Sequence, residues 1–319
     1  VLSRERAKKV GTLNQDKMQD SGGYDKCRLC HPENLEGRPN ISMFSDKKVG
    51  AFINAAPYLP HDHHVIFMRN DDPTVTDLHI YQPEQLRAFE LYYLLKSSMD
   101  LGKKFAKQVL TTTDLPRMVT GFNFGPHAGQ SLSHIHAQYG WEVVLERMDV
   151  SPTAIKLFFE ELQDEDLIIH SEESSLDFKL IAPWTPRGQY ALDLYFTDKY
   201  EVHKLTDEEC RLFAVLGHRI INKYVELGIH NINIVFNSSP LSRQIRPVTA
   251  HFVPRVNKPA LYELLGRDVV DTFPSTIFTT FLSLVPNWRN FLDEVNRYNP
   301  ADEYERVISS RIAQTSEEE

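Results

Sequence analysis

One arrangement of strand-like and helix-like patterns occurs twice in this chain. Residues 49–145 read strand, strand, long helix, strand, strand, and residues 178–255 read the same way again. In the first stretch, 49–54 and 64–68 are short runs of strand formers. Residues 84–110 then carry Leu86, Phe89, Tyr93, Leu94, Met99, Leu101 and Phe105 near helical spacing, and 118–124 and 134–145 return to strand. In the second stretch, strands at 178–182 and 190–196 precede a helix bearing Leu212, Phe213, Leu216, Ile220, Tyr224 and Leu227. Strands at 232–237 and 249–253 follow it. Thr206-Asp-Glu-Glu209 is a capping box that fixes the start of that helix. A period of roughly 130 residues is too long for a solenoid. It predicts an α+β fold built from a duplicated unit: two antiparallel-sheet halves, each with one long helix, related by a pseudo-twofold axis.

The remaining segments fall around this frame. Residues 1–26 form a charged lead-in, 27–150 the first half and 178–260 the second. Ser151-Pro152 opens a connecting helix within 151–177, with proline at its favoured first position. Residues 261–319 make a helical tail ending in charge. Composition narrows the class. At 41% hydrophobic and 25% charged, the 319 residues are those of an ordinary globular protein. A formal net charge of −9 offers no counterion-release affinity, which argues against nucleic acid as a partner. No apolar run reaches the ~18–20 residues of a membrane span, and residues 1–20 lack an apolar signal-peptide core. Three cysteines, Cys27, Cys30 and Cys210, imply no disulfide framework, so a reducing, cytoplasmic setting is expected.

The chemistry concentrates in residues 123–138, Asn-Phe-Gly-Pro-His-Ala-Gly-Gln-Ser-Leu-Ser-His-Ile-His-Ala-Gln. In a strand, side chains at alternate positions share a face, so His134, His136 and Gln138 form one row, roughly 6.5–7 Å from one to the next. Such a row sets a metal ligand, a nucleophile and an amide donor on one wall. The preceding Gly125, Gly129, Ser131 and Ser133 suit a loop whose backbone N–H groups approach phosphate oxygens. Cys27-Arg-Leu-Cys30, with Gly22, Gly23, His31, Pro32 and Asn34 around it, has the turn chemistry of a knuckle.

The spacing N-x-G-x3-G-x-S-x2-H-x-H-x-Q resembles the galactose-1-phosphate uridylyltransferase branch of the histidine-triad superfamily. Asn123, Gly125, Gly129, Ser131, His134, His136 and Gln138 fall on it without a gap. Cys27 and Cys30 resemble the family's zinc pair. Phe52-Ile-Asn54 resembles its nucleotide-contacting strand end, and Pro183-Trp184 through Tyr190 resembles the segment that opens its second half. The resemblance implies a nucleotidyltransferase working in two steps. His136 attacks the α-phosphorus of a nucleotide sugar, and a phosphorylated acceptor then takes the nucleotidyl group from the histidine. Gln138, Asn54, Asn123, Gly125, Gly129, Ser131 and Ser133 would serve the substrate, and related enzymes often form dimers. Gln138 in place of a third histidine favours transfer over hydrolysis.

The same resemblance implies a structural zinc ion on Cys27, Cys30 and His134. The family's remaining ligand has no histidine in register here, where the chain reads Asn70-Asp71-Asp72. Asp72 fills the place in this reading, with Asp71, His79, His31 and His63 as alternatives. A zinc-free turn with two free thiols is the competing reading. No second metal site is expected, because Pro247 and Thr249 hold the places assigned to the second-half histidines. Three other functions compete with nucleotidyl transfer to a sugar 1-phosphate. They are phosphorolysis of a dinucleoside polyphosphate or ADP-sugar, nucleotide binding without catalysis, and metal-dependent phosphoester hydrolysis. The last lacks a carboxylate cluster in the sequence. His61-Asp-His-His64 reads as the polar start of a strand. Arg187, Gln189 and Arg255 are either acceptor-side or surface residues, and Cys210 reads as a small buried hydrophobe.

Overall fold

The computed structural model describes residues 27, 29–31, 41–45, 47–54, 59, 61–69, 83–109, 116–130, 132, 134–143, 152–162, 167–171, 176–183, 188–255 and 274–318. Ten strands lie among them: β1 (Ser42–Phe44), β2 (Val49–Ile53), β3 (His61–Met68), β4 (Pro116–Phe124), β5 (His136–Val143), β6 (Leu167–Ser171), β7 (Phe178–Ile181), β8 (Leu192–Phe196), β9 (Ile232–Asn237) and β10 (Val248–Pro254). The helices are α1 (Ala88–Val109), α2 (Pro152–Glu161), α3 (Asp207–Glu226), α4 (Pro274–Phe281), α5 (Trp288–Arg297) and α6 (Pro300–Glu318).

The strands form one continuous sheet in the order β1-β2-β3-β5-β4-β9-β10-β8-β7-β6, with antiparallel pairing throughout. The repeated strand–strand–helix–strand–strand order is present, but its two copies do not make separate sheets. They join edge to edge where β4 pairs with β9, in the register Thr120↔Phe236 to Phe124↔Ile232. Gly121 permits the approach, since a β-carbon there would stand 2.4 Å from the Ile234 carbonyl oxygen. The remaining edges, β1 and β6, are only three and five residues long, which limits edge-to-edge association with another chain.

Period-two burial decides what each sheet face does. Met118, Phe122 and Phe124 of β4, Ala137, Tyr139 and Trp141 of β5, Ile232, Ile234 and Phe236 of β9, and Val248, Ala250 and Phe252 of β10 belong to the main core. That face is covered by α1 and α3, which also pack on each other. Phe213 of α3 lies over the seam. Its ring centroid is 6.0 Å from Phe122 in the first half, and 4.8 Å and 6.2 Å from Phe236 and Phe252 in the second. Burying one such ring contributes about 2–3 kcal/mol, so a single side chain ties both halves together. The start of α3 is set as the sequence predicts. Glu209 N donates to Thr206 Oγ1 at 3.2 Å, and Thr206 N donates to Glu209 Oε2 at 2.6 Å. Cys210, one turn on, is buried with its sulfur 3.2 Å from Met99 Sδ of α1. Burial pushes its thiol up to about 12.

The opposite face is smaller and more polar. A second cluster of Cys27, Leu29, Cys30, Phe52, Val65 and Phe67 covers its first-half end. On the second half, Phe158 and Phe159 of α2 pack against Tyr195 of β8. Among the described residues, no helix is long and apolar enough to cross a membrane.

Candidate functional site

Of the residues singled out by sequence, Cys27, Cys30, Asn123, His134, His136 and Gln138 lie on this second face. Ile135 just before β5, and Ala137, Tyr139 and Trp141 within it, point into the main core, so His134, His136 and Gln138 point away from it. β5 begins at His136, and His134 sits just before it. Ala137 pairs with Phe122 and Gln138 with Gly121, which sets Asn123 alongside His136 on the neighbouring strand.

The two histidines are held in opposite ways. His134 is fully buried, and its Nε2 lies 2.9 Å from the carbonyl oxygen of Met68 at the end of β3. A carbonyl only accepts, so Nε2 carries the proton and Nδ1 carries the lone pair. That lone pair faces Cys30 Sγ at 3.2 Å and Cys27 Sγ at 3.6 Å. His136 reverses the roles. Its Nδ1 lies 2.9 Å from the carbonyl oxygen of His134, so Nδ1 is protonated and Nε2 holds the lone pair. Nε2 has no hydrogen-bond partner among the described residues. Burial lowers the His136 pKa, and its hydrogen bond to the His134 carbonyl works against that. The ring is neutral at physiological pH.

Cys27, Cys30 and His134 form the cluster of potential metal ligands found among the described residues, with their ligand atoms within 4.8 Å of one another. The donor set fits zinc. Zn–S and Zn–N bonds of about 2.3 and 2.0–2.1 Å at tetrahedral angles leave sulfur and nitrogen roughly 3.5 Å apart, which matches the spacings here. The backbone N–H of Cys30 lies 3.4 Å from Cys27 Sγ, a contact that supports a thiolate. The Met68 carbonyl supplies the outer contact that commonly orients a ligating imidazole. His31 and His63 do not join the cluster. His63 instead meets Asn54, with Asn54 Nδ2 3.4 Å from His63 Nε2. Asp71, Asp72 and His79 lie outside the described residues, as do Ser131, Ser133, Trp184 and Arg187.

The glycine loop that follows β4 is built differently from a simple amide cradle. Gly125 has φ 81° and Gly129 φ 84°, both left-handed. A β-carbon at Gly125 would also stand 2.3 Å from Asn231 Oδ1. The backbone N–H groups are engaged inside the protein. Gly125 N donates to Gln130 Oε1 at 2.7 Å and His127 N to Asn231 Oδ1 at 3.0 Å. Ala128 N and Gln130 N donate to Gly125 O, and Gly129 N donates to Pro126 O. These amides hold the loop's shape.

Beside Arg255, the second half supplies residues that sequence reasoning passed over. Asn233 Nδ2 donates to Asn123 Oδ1 and to the Ala128 carbonyl, each at 2.7 Å, and Asn233 Oδ1 accepts from Arg255 Nε at 2.7 Å. On β10, His251 Nδ1 lies 2.7 Å from Asp193 Oδ1 of β8. Its Nε2 is buried with no hydrogen-bond partner among the described residues. The only sequence signal for these residues was their polarity within otherwise apolar strands.

No known family's profile matches the sequence, and no curated protein is significantly similar to it. Solved structures do share the fold. An ADP-glucose phosphorylase from Arabidopsis thaliana with bound ADP-glucose superposes with a TM-score of 0.61 at 16% identity, covering 80% of this chain and 90% of that one. A galt-like protein from Arabidopsis thaliana gives 0.63 at 17%, covering 83% and 92%. A uridylyltransferase gives 0.56 at 16%, covering 80% and 92%. At these identities the likeness shows a shared α+β fold and nothing further.

Proposed function

We propose that this protein is a nucleotidyltransferase of the galactose-1-phosphate uridylyltransferase-like branch, acting through a covalent nucleotidyl–His136 intermediate. The observation that carries the reading is the tautomer of His136. Its proton is committed to the His134 carbonyl, its Nε2 lone pair is unengaged among the described residues, and its nitrogens stand apart from the thiolate cluster. A neutral imidazole attacks phosphorus without first losing a proton, and it leaves again readily. In the first step the Nε2 lone pair forms a bond to the α-phosphorus of a nucleoside diphosphate sugar. The bond from that phosphorus to the bridging oxygen breaks, and the sugar 1-phosphate departs with the electron pair. In the second, a phosphate oxygen of the acceptor bonds to phosphorus and the P–N bond breaks. The His134 carbonyl stays on Nδ1–H throughout and offsets the positive charge of the adducted ring. Asn123 and Gln138 donate to the phosphoryl oxygens, together with Ser131 and Ser133. Gly125 and Gly129 shape the loop, and Asn54 serves the nucleotide from the end of β2.

Zinc on Cys27, Cys30 and His134, with Asp72 as fourth ligand, would have a structural role. It fixes the His134 end of β5 and thereby the carbonyl that holds His136. Residues 27–150 and 178–260 are two copies of one histidine-triad-like unit related by a pseudo-twofold axis between β4 and β9. The palindromic strand order supports this: β2-β3-β5-β4 from one edge repeats as β7-β8-β10-β9 from the other. A cytoplasmic location and a homodimer complete the proposal.

Phosphorolysis shares the first step and differs only in the acceptor. It is the second reading, because the similar fold with bound ADP-glucose belongs to a phosphorylase. Intact mass after incubation with UDP-glucose, ADP-glucose and diadenosine tetraphosphate tests the common step. A mass gain of one UMP or AMP on the wild type, absent from His136→Gly, is the expected result. No gain with any nucleotide would end the covalent mechanism. Discharge of the isolated adduct by glucose or galactose 1-phosphate, against inorganic phosphate, then separates the two acceptors.

A further inference from the structure

We infer that Asn233, in the half without the H-x-H pair, is a positioning residue that turns the Asn123 amide so that its NH2 group, not its oxygen, faces the phosphoryl group carried by His136. This rests on the nucleotidyl-transfer reading above. An asparagine amide can be flipped without changing its shape, so its polarity must be set by its neighbours. Here both ends of the chain of contacts are unambiguous. A guanidinium only donates, so Arg255 Nε at 2.7 Å requires the Asn233 oxygen on its side. A backbone carbonyl only accepts, so Ala128 O at 2.7 Å requires the Asn233 nitrogen on the other. The Asn233 NH2 then also meets Asn123 at 2.7 Å, and only the oxygen of Asn123 can accept from it. The Asn123 NH2 is left without a protein partner among the described residues, on the strand beside His136 and on the same sheet face.

Without this relay Asn123 has no reason to prefer donor over acceptor toward the open surface. An acceptor there would repel the charge that builds on a phosphoryl group, and a donor stabilises it. The seam of the sheet makes the relay possible, because Asn123 and Asn233 are direct register partners across β4 and β9. The second half thus acts on the first half's chemistry without touching substrate. Arg255 is exposed and acts from outside the seam.

Asn233→Asp is the informative variant. One carboxylate oxygen keeps the Arg255 contact, while the other loses the Ala128 carbonyl as a partner and draws the Asn123 NH2 inward, which turns the Asn123 oxygen toward the site. The reading is the rate at which a saturating nucleotide sugar (UDP-glucose or ADP-glucose, whichever loads the wild type) adds its nucleotidyl group, followed by intact mass. Expected are a loss of about 100-fold in that rate, a half-saturating concentration within about threefold of wild type, and no further loss in Asn123→Ala/Asn233→Asp beyond Asn123→Ala alone. Penalties that instead multiply in the double variant, or a normal loading rate in Asn233→Asp, overturn the inference and leave the His136 mechanism standing. A wild type that never loads overturns both. If Asn233→Asp fails to fold, Asn233→Ala carries the test. It removes the donor that holds the Asn123 oxygen, and a loss of about tenfold in loading rate is expected. Wild-type rates there would sink the relay.

Discussion

β5 and β10 occupy matching places in the sheet, each between the two partners of its own half, yet they treat an imidazole in opposite ways. A lateral row runs Val65, Gln138, Gly121, Val235, His251, Asp193 across the six central strands. On the β5 side, His136 rests on a backbone carbonyl and keeps Nε2 unengaged among the described residues. On the β10 side, His251 rests on the Asp193 carboxylate, and its Nε2 is buried without a partner among the described residues. A carbonyl orients a ring and fixes its tautomer while leaving it neutral and nucleophilic. A carboxylate also fixes the tautomer, and here it anchors one strand to the next. The difference teaches that a histidine in the right strand is not enough. What engages its first nitrogen, and what space its second nitrogen sees, separate a nucleophile from a strand clamp.

The comparison breaks most sharply at His136. His136→Gly is expected to lower nucleotidyl loading about a thousandfold or more, with partial recovery on adding imidazole and little change in Tm. Wild-type loading in that variant would move the nucleophile elsewhere. Next in size is the metal cluster beneath it. Cys27→Ser should abolish stoichiometric zinc by elemental analysis and cost about 3 kcal/mol, roughly 5–10 °C in Tm. Unchanged metal content would favour a turn with two free thiols. His251→Ala provides the contrast. It takes the partner from Asp193 Oδ1, while Tyr195 Oη stays on Oδ2 at 3.4 Å, and should cost about 1–3 kcal/mol in a denaturant titration, while loading stays within about threefold of wild type. A large loss of loading with intact stability would give β10 a chemical role. The smallest effect tests the frame alone: Thr206→Ala removes one cap oxygen and should cost about 1 kcal/mol, with no change in chemistry.

Much of the frame was legible residue by residue. The stripe from Leu86 to Phe105 predicts α1, and Thr206 with Glu209 marks the start of α3 to the residue. The run 232–237 predicts β9 with its observed bounds. These signals are local, because a helix or strand face repeats every few residues. The short edges β1 and β6 escaped notice because neither has enough alternation to rise above a loop. The joining of both halves into one sheet was not legible at all. It depends on β4 meeting β9 more than a hundred residues away, in a register that Gly121 allows and no local pattern encodes.

For the site, the identities in H-x-H-x-Q were enough to place His134 and His136 two residues apart on a shared face, since strand alternation fixes it. Sequence did not say which nitrogen of each ring is free. That follows from two carbonyls, one at the end of β3 and one on the chain just before His136, whose positions exist only in the folded sheet. Nor did it say that the loop amides of residues 125–130 are spent on the loop, or that Asn233 and Arg255 reach Asn123 across the seam. The sequence by itself determined which chemical groups the chain has and which face of each strand or helix they take, because those follow from covalent spacing and backbone period. Only the tertiary structure decided their protonation, their polarity and their company, because hydrogen bonds between distant strands set those.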